Sequence, residues 1–418
     1  MERLPGFRDF YPEPLPHPDV WSADARQAIF GRWRETARRY GFREYDGPPL
    51  EPLELFTAKS GDEIVGQLYN FKDKGERDVA LRPEMTPTLA RMVAAHERNY
   101  KKPIKWYAIP QLFRYERQQK GRLREHFQFN ADIVGEPDPA ADAELIALLI
   151  DTLRSFGLTE QDFVIRLSSR NVWQEFYEGR RGNAEGRTDE AYGFFQILDK
   201  LERTPAEQSE EKLAALGFSL AEVNAFIERG EPTAELQRIL DNLGARGLAG
   251  FVKVDYHVIR GLAYYTGAVF EAFDRKGELR AIAGGGRYDN LVKLISGGKV
   301  DLPALGFGMG DVVLLELLKA RGLLGRPDTA PGVFVLIEDE NLRLPSLKLV
   351  QDLRAAGVAV DYSLTPVKPD KQFKRAQELK AAFTVKLENQ STVRVRNLKT
   401  REEQSMAPAQ AAAFMQAQ

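Results

Sequence analysis

The sequence predicts an α+β chain in two parts: a mainly antiparallel sheet flanked by helices with a helical insertion, then a small C-terminal α/β domain. Three observations predict it. Strand-like runs, many next to glycines, occur before residue 170 and return after about 250, whereas the stretch between, about 170–248, is highly charged and reads as several short helices. The segment Arg321 to Pro331 is a linker by its Gly and Pro content. Beyond it apolar strands alternate with helices, a pattern that needs both faces of a sheet covered. The expected divisions are 1–325, with the insertion at about 170–250, and 331–418, consistent with a length of 418 residues, too long for one ordinary domain.

The elements follow in order. Ala25, Ile29, Phe30, Trp33 and Ala37 recur at helical spacing and Gly41 ends the run, so residues 22–40 are predicted as a helix. Phe42 to Tyr45, Lys105 to Ile109, Gln111 to Tyr115 and Glu125 to Ile133 read as strands, the last two forming a long hairpin with a charged tip, Glu116 to Arg124. A helix is expected over 141–156, stopped by Gly157. After the insertion, strands are expected at Tyr264 to Phe273, Glu278 to Ala283 and Ala304 to Met309. In the C-terminal part they are expected at Gly332 to Ile337, Val358 to Leu364, Ala382 to Leu387 and Val393 to Leu398, with helices before Gly357 and at about 369–380.

Composition excludes several classes of function. There is no cysteine, so disulfides, thiolate metal sites and a cysteine nucleophile are out, and four histidines make a multi-histidine metal centre a poor expectation. No run approaches the roughly 20 apolar residues of a membrane span. The opening Met1 to Phe7 lacks the apolar stretch of a signal peptide. The cytoplasm is therefore the expected location. Lys plus Arg (59) nearly balance Asp plus Glu (61), which disfavours binding nucleic acid by bulk charge but leaves room for a local basic patch.

Four stretches carry chemistry. In Leu81-Arg82-Pro83-Glu84-Met85-Thr86 a carboxylate and a hydroxyl two apart share one face if the segment is extended, and could receive an ammonium group; an ion pair with a helix cap is the plainer use. In the hairpin Phe113 to Phe129 and just beyond it, Arg114, Arg122, Gln128 and Asp132 fall at even spacing if the strands continue through. Planar arginines suit bidentate phosphate contacts, although an exposed charge-laced hairpin would read the same. Arg260-Gly261-Leu262-Ala263-Tyr264-Tyr265-Thr266-Gly267 sets two phenols between glycines, equally an ordinary strand with one tyrosine in the core. Last, Gly284-Gly285-Gly286-Arg287-Tyr288-Asp289 and Gly306-Phe307-Gly308-Met309-Gly310 are glycine-rich strand ends, where missing side chains let a flat ligand approach the backbone.

Read jointly and in order, these stretches resemble the histidyl-tRNA synthetase family of class II aminoacyl-tRNA synthetases. Leu4-Pro5-Gly6-Phe7-Arg8-Asp9 resembles its N-terminal segment, Leu81 to Thr86 its Arg-Pro-Glu-x-Thr element, and Phe113 to Gln128 its motif 2. Arg260 to Glu271 and Gly284 to Asp289 resemble its histidine-specific peptides, Gly306 to Gly310 the start of motif 3, and Lys371 to Ala376 part of its anticodon-binding domain. The chain departs from the family pattern at Ala263, where an acidic residue is usual, and at Val312, where an arginine usually holds the ATP γ-phosphate. Asp132 stands where many bacterial members carry Glu.

The resemblance implies ATP-dependent activation of L-histidine to histidyl-adenylate and its transfer to tRNA(His), with Mg²⁺ neutralising pyrophosphate. It implies that Arg114 and Arg260 flank the α-phosphate, Arg260 also reaching the substrate carboxylate. Arg122 would lie toward the outer phosphates, and Gly308 and Gly310 would form part of the ATP site. Glu84, Thr86 and Gln128 would hold the ammonium group, and Asp132 and Tyr265, with Tyr264 nearby, would read the imidazole. A homodimer through residues around Tyr45 to Phe56 is also implied. Two alternatives stay open: a histidine-sensing regulatory subunit of ATP phosphoribosyltransferase, and a catalytically silent paralogue that binds histidine or RNA.

Overall fold

The computed structural model describes residues 2–12, 21–60, 62–115, 123–182, 188–260, 264–324 and 332–417. The chain divides into two compact units, Met1–Arg326 and Pro327–Gln418.

The first unit is organised by a large sheet. Among the described residues its strand order is 252–254, 163–169, 268–274, 283–287, 304–310, 125–134, 104–108 and 43–44, with 111–113 pairing alongside 125–127. All pairings are antiparallel except those at the two edges, 252–254 with 163–169 and 43–44 with 104–108. One face is packed. Helix Ala23–Arg39 starts where the Ser22 hydroxyl accepts the Ala25 N–H at 3.0 Å and is followed by Gly41 at φ +76°. Its Trp33 is fully buried and stacks on Phe129 at 5.6 Å, and Phe129 meets Phe307 edge-on at 5.5 Å. Truncating Trp33 to Ala should cost about 3–5 kcal/mol. Helix Ala140–Arg154, apolar on nearly every side, is buried in the same cluster, as its composition requires. The helices between Arg170 and Ala245 pack mainly through Trp173, Tyr177, Phe194 and Phe218.

The opposite face carries Gln128, Asn130, Asp132, Gly306, Gly308 and Gly284. Paired residues on neighbouring strands project to the same side, and the register pairs Asp132 with Gly306, Asn130 with Gly308, and Gly308 with Gly284. Helix Thr86–His96 borders this face through Leu89, Ala90 and Val93.

Four local expectations change. Glu84 and Thr86 are not on a strand: the strand ends at Leu81, and Thr86 opens a helix with Pro87 in its first turn, where a missing N–H is harmless. Tyr264 and Tyr265 precede their strand, which starts at Ala268. Glu278 to Arg280 are not in a strand, and the triple glycine lies inside strand Ala283–Arg287 rather than after one. Intrinsic propensity argues against three strand glycines. Close packing explains them, since a Cβ on Gly285 would lie 2.3 Å from the Gly306 carbonyl oxygen, and one on Gly286 would lie 2.7 Å from that of Ala268. The short strands Val252–Val254 and Glu403–Met406 were not expected.

The second unit is a mixed sheet in the order 360–362, 333–336, 383–389, 392–397, 403–406, parallel across the first three strands and antiparallel thereafter. Helices Arg343–Ala355 and Pro408–Gln416 cover one face through Leu349, Leu353, Ala411 and Met415. Helix Pro369–Glu378 covers the other, placing Ala376 against Phe334 and Leu336. None of the described helices is long and apolar enough to cross a membrane.

Candidate active site

Above the glycine-rich strands lies a cleft of about 740 Å³, lined by Glu84, Thr86, Arg114, Gln128, Asp132, Arg260, Tyr264, Tyr265, Gly308 and Gly310 among others. Every candidate site residue named from sequence lies on it except Arg122, which falls outside the described residues together with most of the hairpin tip. Ala263 and most of the Arg321 to Pro331 linker are also outside them.

The glycines shape the floor. A Cβ on Gly306 would come within 1.9 Å of an Asp132 carboxylate oxygen, and one on Gly308 within 2.7 Å of the Gln128 amide carbon. One on Gly284 would meet the Arg260 guanidinium at 2.2 Å. The glycines therefore make room for the polar side chains that cross the face, and not only for a ligand.

Asp132 is buried, and its carboxylate accepts the Tyr288 hydroxyl at 2.6 Å. Burial raises its pKa to about 7, against the lowering effect of that hydrogen bond. The Tyr264 hydroxyl donates to Glu84 at 2.8 Å, tying the loop before helix Thr86–His96 to the two-tyrosine segment. Burial, then the Glu84 charge, pushes the Tyr264 phenol well above its usual value. Tyr264 packs tilted on Tyr265 at 4.9 Å and edge-on to Tyr288 at 5.9 Å.

Arg260 is a non-glycine residue at φ +58°, in the left-handed region. Such strain concentrates at functional sites and persists only when neighbours impose it. Its guanidinium donates to Glu271 at 2.5 Å and to the Tyr265 hydroxyl at 3.4 Å. Burial works against its charge, but Tyr265 and Glu271 reverse that and hold Arg260 cationic. Its Nε is buried without a partner among the described residues. Arg114 reaches back to the Pro83 carbonyl at 3.1 Å, so Arg114 and Arg260 are both held by this protein's own acceptors.

A second network braces the hairpin from below. Arg8 is buried and donates to Glu125 at 2.6 Å and to Asp311 at 2.8 Å. Asp311 also accepts the Phe127 backbone N–H at 3.0 Å, and Gln111 donates to Glu125 at 2.9 Å. Asp311 is thus engaged with Arg8, while the adjoining Val312 is buried in the cleft wall.

Sequence reasoning missed three working residues. Tyr288 and Glu271 lay inside stretches singled out for other members, and Arg8 lay in the opening segment without a role. An acceptor such as Asp132, buried on a ligand-facing strand, needs a donor, and that requirement was the available signal.

Among the described residues no cluster of three His, Asp or Glu could hold a metal ion.

A family model described as histidyl-tRNA synthetase matches residues 18–311, and one described as anticodon binding domain matches residues 332–418. The chain is 50% identical over 397 residues to the histidine–tRNA ligase of Opitutus terrae, covering 90% of this chain and 88% of that one. It is 38% identical over 393 residues to the chloroplastic/mitochondrial histidine–tRNA ligase of Arabidopsis thaliana, covering 90% and 78%. The crystal structure of histidyl-tRNA synthetase from Nostoc sp. PCC 7120 has the same fold, with a TM-score of 0.76 at 23% identity, across 98% of this chain and 100% of that one. A cleft that gathers the arginines, the glycine floor and the buried carboxylate expected of one family, in a chain matched along nearly its whole length, leads to one assignment: the chain belongs to the histidyl-tRNA synthetase family.

Proposed function

We propose that this chain is a histidine–tRNA ligase that forms histidyl-adenylate from L-histidine and ATP and transfers the histidyl group to tRNA(His). The observation that carries the reading is the convergence of an ammonium-binding set, a buried carboxylate and two held arginines on a single glycine-floored cleft. Supporting it, the curated relatives named histidine–tRNA ligase align over 90% of the chain.

In the first step a histidine carboxylate oxygen attacks the α-phosphate of ATP and pyrophosphate leaves. Such an in-line displacement needs positioned cations rather than a protein nucleophile. Arg114 and Arg260 supply them. The Arg260 guanidinium, held at Glu271 and the Tyr265 hydroxyl, lines the cleft as the cation for the substrate carboxylate or the α-phosphate. Glu84, Thr86 and Gln128 receive the ammonium group. Asp132 accepts from one imidazole nitrogen while Tyr265, with Tyr264 behind it, addresses the other. Two partners on opposite ring nitrogens discriminate strongly, because an isostere would leave buried polar groups unpaired. Gly308 and Gly310 keep the floor low enough for the nucleotide, and the role at the outer phosphates is assigned to Arg122, which lies outside the described residues. Bound Mg²⁺ supplies charge neutralisation at the phosphates. In the second step a terminal ribose hydroxyl of tRNA attacks the activated carbonyl.

Catalysis is assigned to residues 1–325 and anticodon binding to 331–418. We place the enzyme in the cytoplasm, since a cysteine-free chain draws nothing from an oxidising compartment. It acts as a homodimer. Leu50 and Phe71, both large and exposed, lie on the small sheet that follows Tyr45 and give a pairing surface its apolar content. The second unit, matched over residues 332–418 by a model described as anticodon binding domain, favours the ligase over the regulatory-subunit alternative. ATP–pyrophosphate exchange with each amino acid in turn tests the reading. Exchange should depend on histidine, and its absence from folded protein would overturn the assignment.

A further inference from the structure

Arg170 is the first residue of helix Arg170–Arg181, where the helical insertion leaves the central sheet. Its guanidinium donates to the Arg260 carbonyl at 2.9 Å and to the Ile259 carbonyl at 3.4 Å. Its own backbone N–H donates to the Gly267 carbonyl at 2.9 Å. One residue therefore grips both ends of the segment that carries Arg260, Tyr264 and Tyr265. The grip is costly to build. Arg170 is 7% exposed, its guanidinium lies 4.0 Å over the Phe195 ring of the next insertion helix, and burial lowers its pKa to about 10. A buried cation whose hydrogen bonds go to carbonyls is kept at a cost in stability, which asks for a use. The use is close by: the carbonyl it holds belongs to Arg260, whose left-handed backbone has to be imposed from outside.

We infer that Arg170 is a positioning residue for adenylate formation, fixing the strained backbone of Arg260 so that its guanidinium meets the α-phosphate, and that it couples the packing of the insertion helices to the active site. The inference rests on the proposed role of Arg260. Both bonds come from one guanidinium nitrogen, Nη1, and lysine would keep the charge but not the flat group that lies over the Phe195 ring and fixes where Nη1 sits.

The test is a double-mutant cycle read by histidine-dependent ATP–pyrophosphate exchange in the full-length chain. Arg170→Met should lower kcat roughly 30-fold, with KM for histidine and ATP within about threefold, and Arg170→Lys should recover only part of it. In an Arg260→Ala background Arg170→Met should cost less than about threefold, because the residue it serves is gone. Equal losses in both backgrounds would overturn the inference, as would near-wild-type kcat for Arg170→Met. If Arg170→Met does not fold, Phe195→Leu, which leaves Arg170 in place without its platform, should show the same non-additivity, and additive loss there overturns the inference equally. Exchange by the unmutated chain separates this result from a failure of the functional reading.

Discussion

Two residues lining the cleft, Arg260 and Val312, receive opposite predictions. Losing an arginine at the γ-phosphate removes one charge-assisted contact, worth about 1.5–3 kcal/mol or roughly ten- to hundredfold in ATP use. That loss leaves the chemistry running while Arg114 and Arg260 remain. Val312 is buried in the cleft wall, and Asp311 beside it is engaged by Arg8. Steady-state exchange should show Arg260→Ala down by three orders of magnitude or more and Val312→Ala within about fivefold. Similar losses at both positions would contradict the assignment of roles. Asp132→Ala should abolish histidine activation by orders of magnitude while leaving the fold intact. Its titration gives a second check with a definite sign. The folded carboxyl titrates near 7 instead of 3.8, so ionising it opposes folding. The penalty is absent below about pH 4, grows as pH rises toward 7 and is complete above that. The melting temperature of Asp132→Asn relative to wild type should therefore rise across pH 4 to 7 and then level off. A difference independent of pH would mean that Asp132 is not buried as described.

The strand glycines and the hairpin brace make their predictions at the scale of elements. Gly306→Ala forces a Cβ onto the Asp132 carboxylate, so the expected outcome is a folded protein with histidine KM raised at least tenfold. Gly285→Ala instead meets backbone at 2.3 Å and should fail in thermal unfolding before activity is considered. Breaking the buried Arg8 pairings with Glu125 and Asp311 by Arg8→Ala strands two carboxylates and should cost about 3–5 kcal/mol, seen as a lower first unfolding transition. Elements with strong periodicity were legible: the helix with Trp33 at its centre and the hairpin strands lie within a residue or two of expectation. What was hidden depended on contact between distant segments. The triple glycine reads as a turn by propensity and is a strand because neighbouring backbones leave no space for a Cβ. Glu84 and Thr86 reach the cleft from a loop and a helix start, a route that no spacing rule describes. Which residues line the cleft was legible because motif residues keep their chemistry whatever element carries them. The partners Tyr288 and Glu271 became visible only as hydrogen bonds.

At the scale of the whole molecule, the chain comprises two compact units, each matched by its own family model. A groove beside Phe373 in the second unit is lined by Glu338, Asp370 and Glu403 as well as by Lys374, Lys386, Arg394 and Arg396, whose cations suit phosphates. Contacts of that kind with phosphates make affinity fall with salt, and stacking on single-stranded bases gives specificity. A chain ending near residue 326 should keep histidine-dependent exchange yet charge tRNA poorly, and unchanged charging would give the second unit another task. The most direct measurement of the whole account is the charging of tRNA(His) with labelled histidine by the purified full-length chain, with ATP and Mg²⁺. Charging should require histidine and ATP and disappear with Arg260→Ala. A folded chain that leaves tRNA(His) uncharged would contradict the account and make it a protein that binds histidine or RNA without joining them.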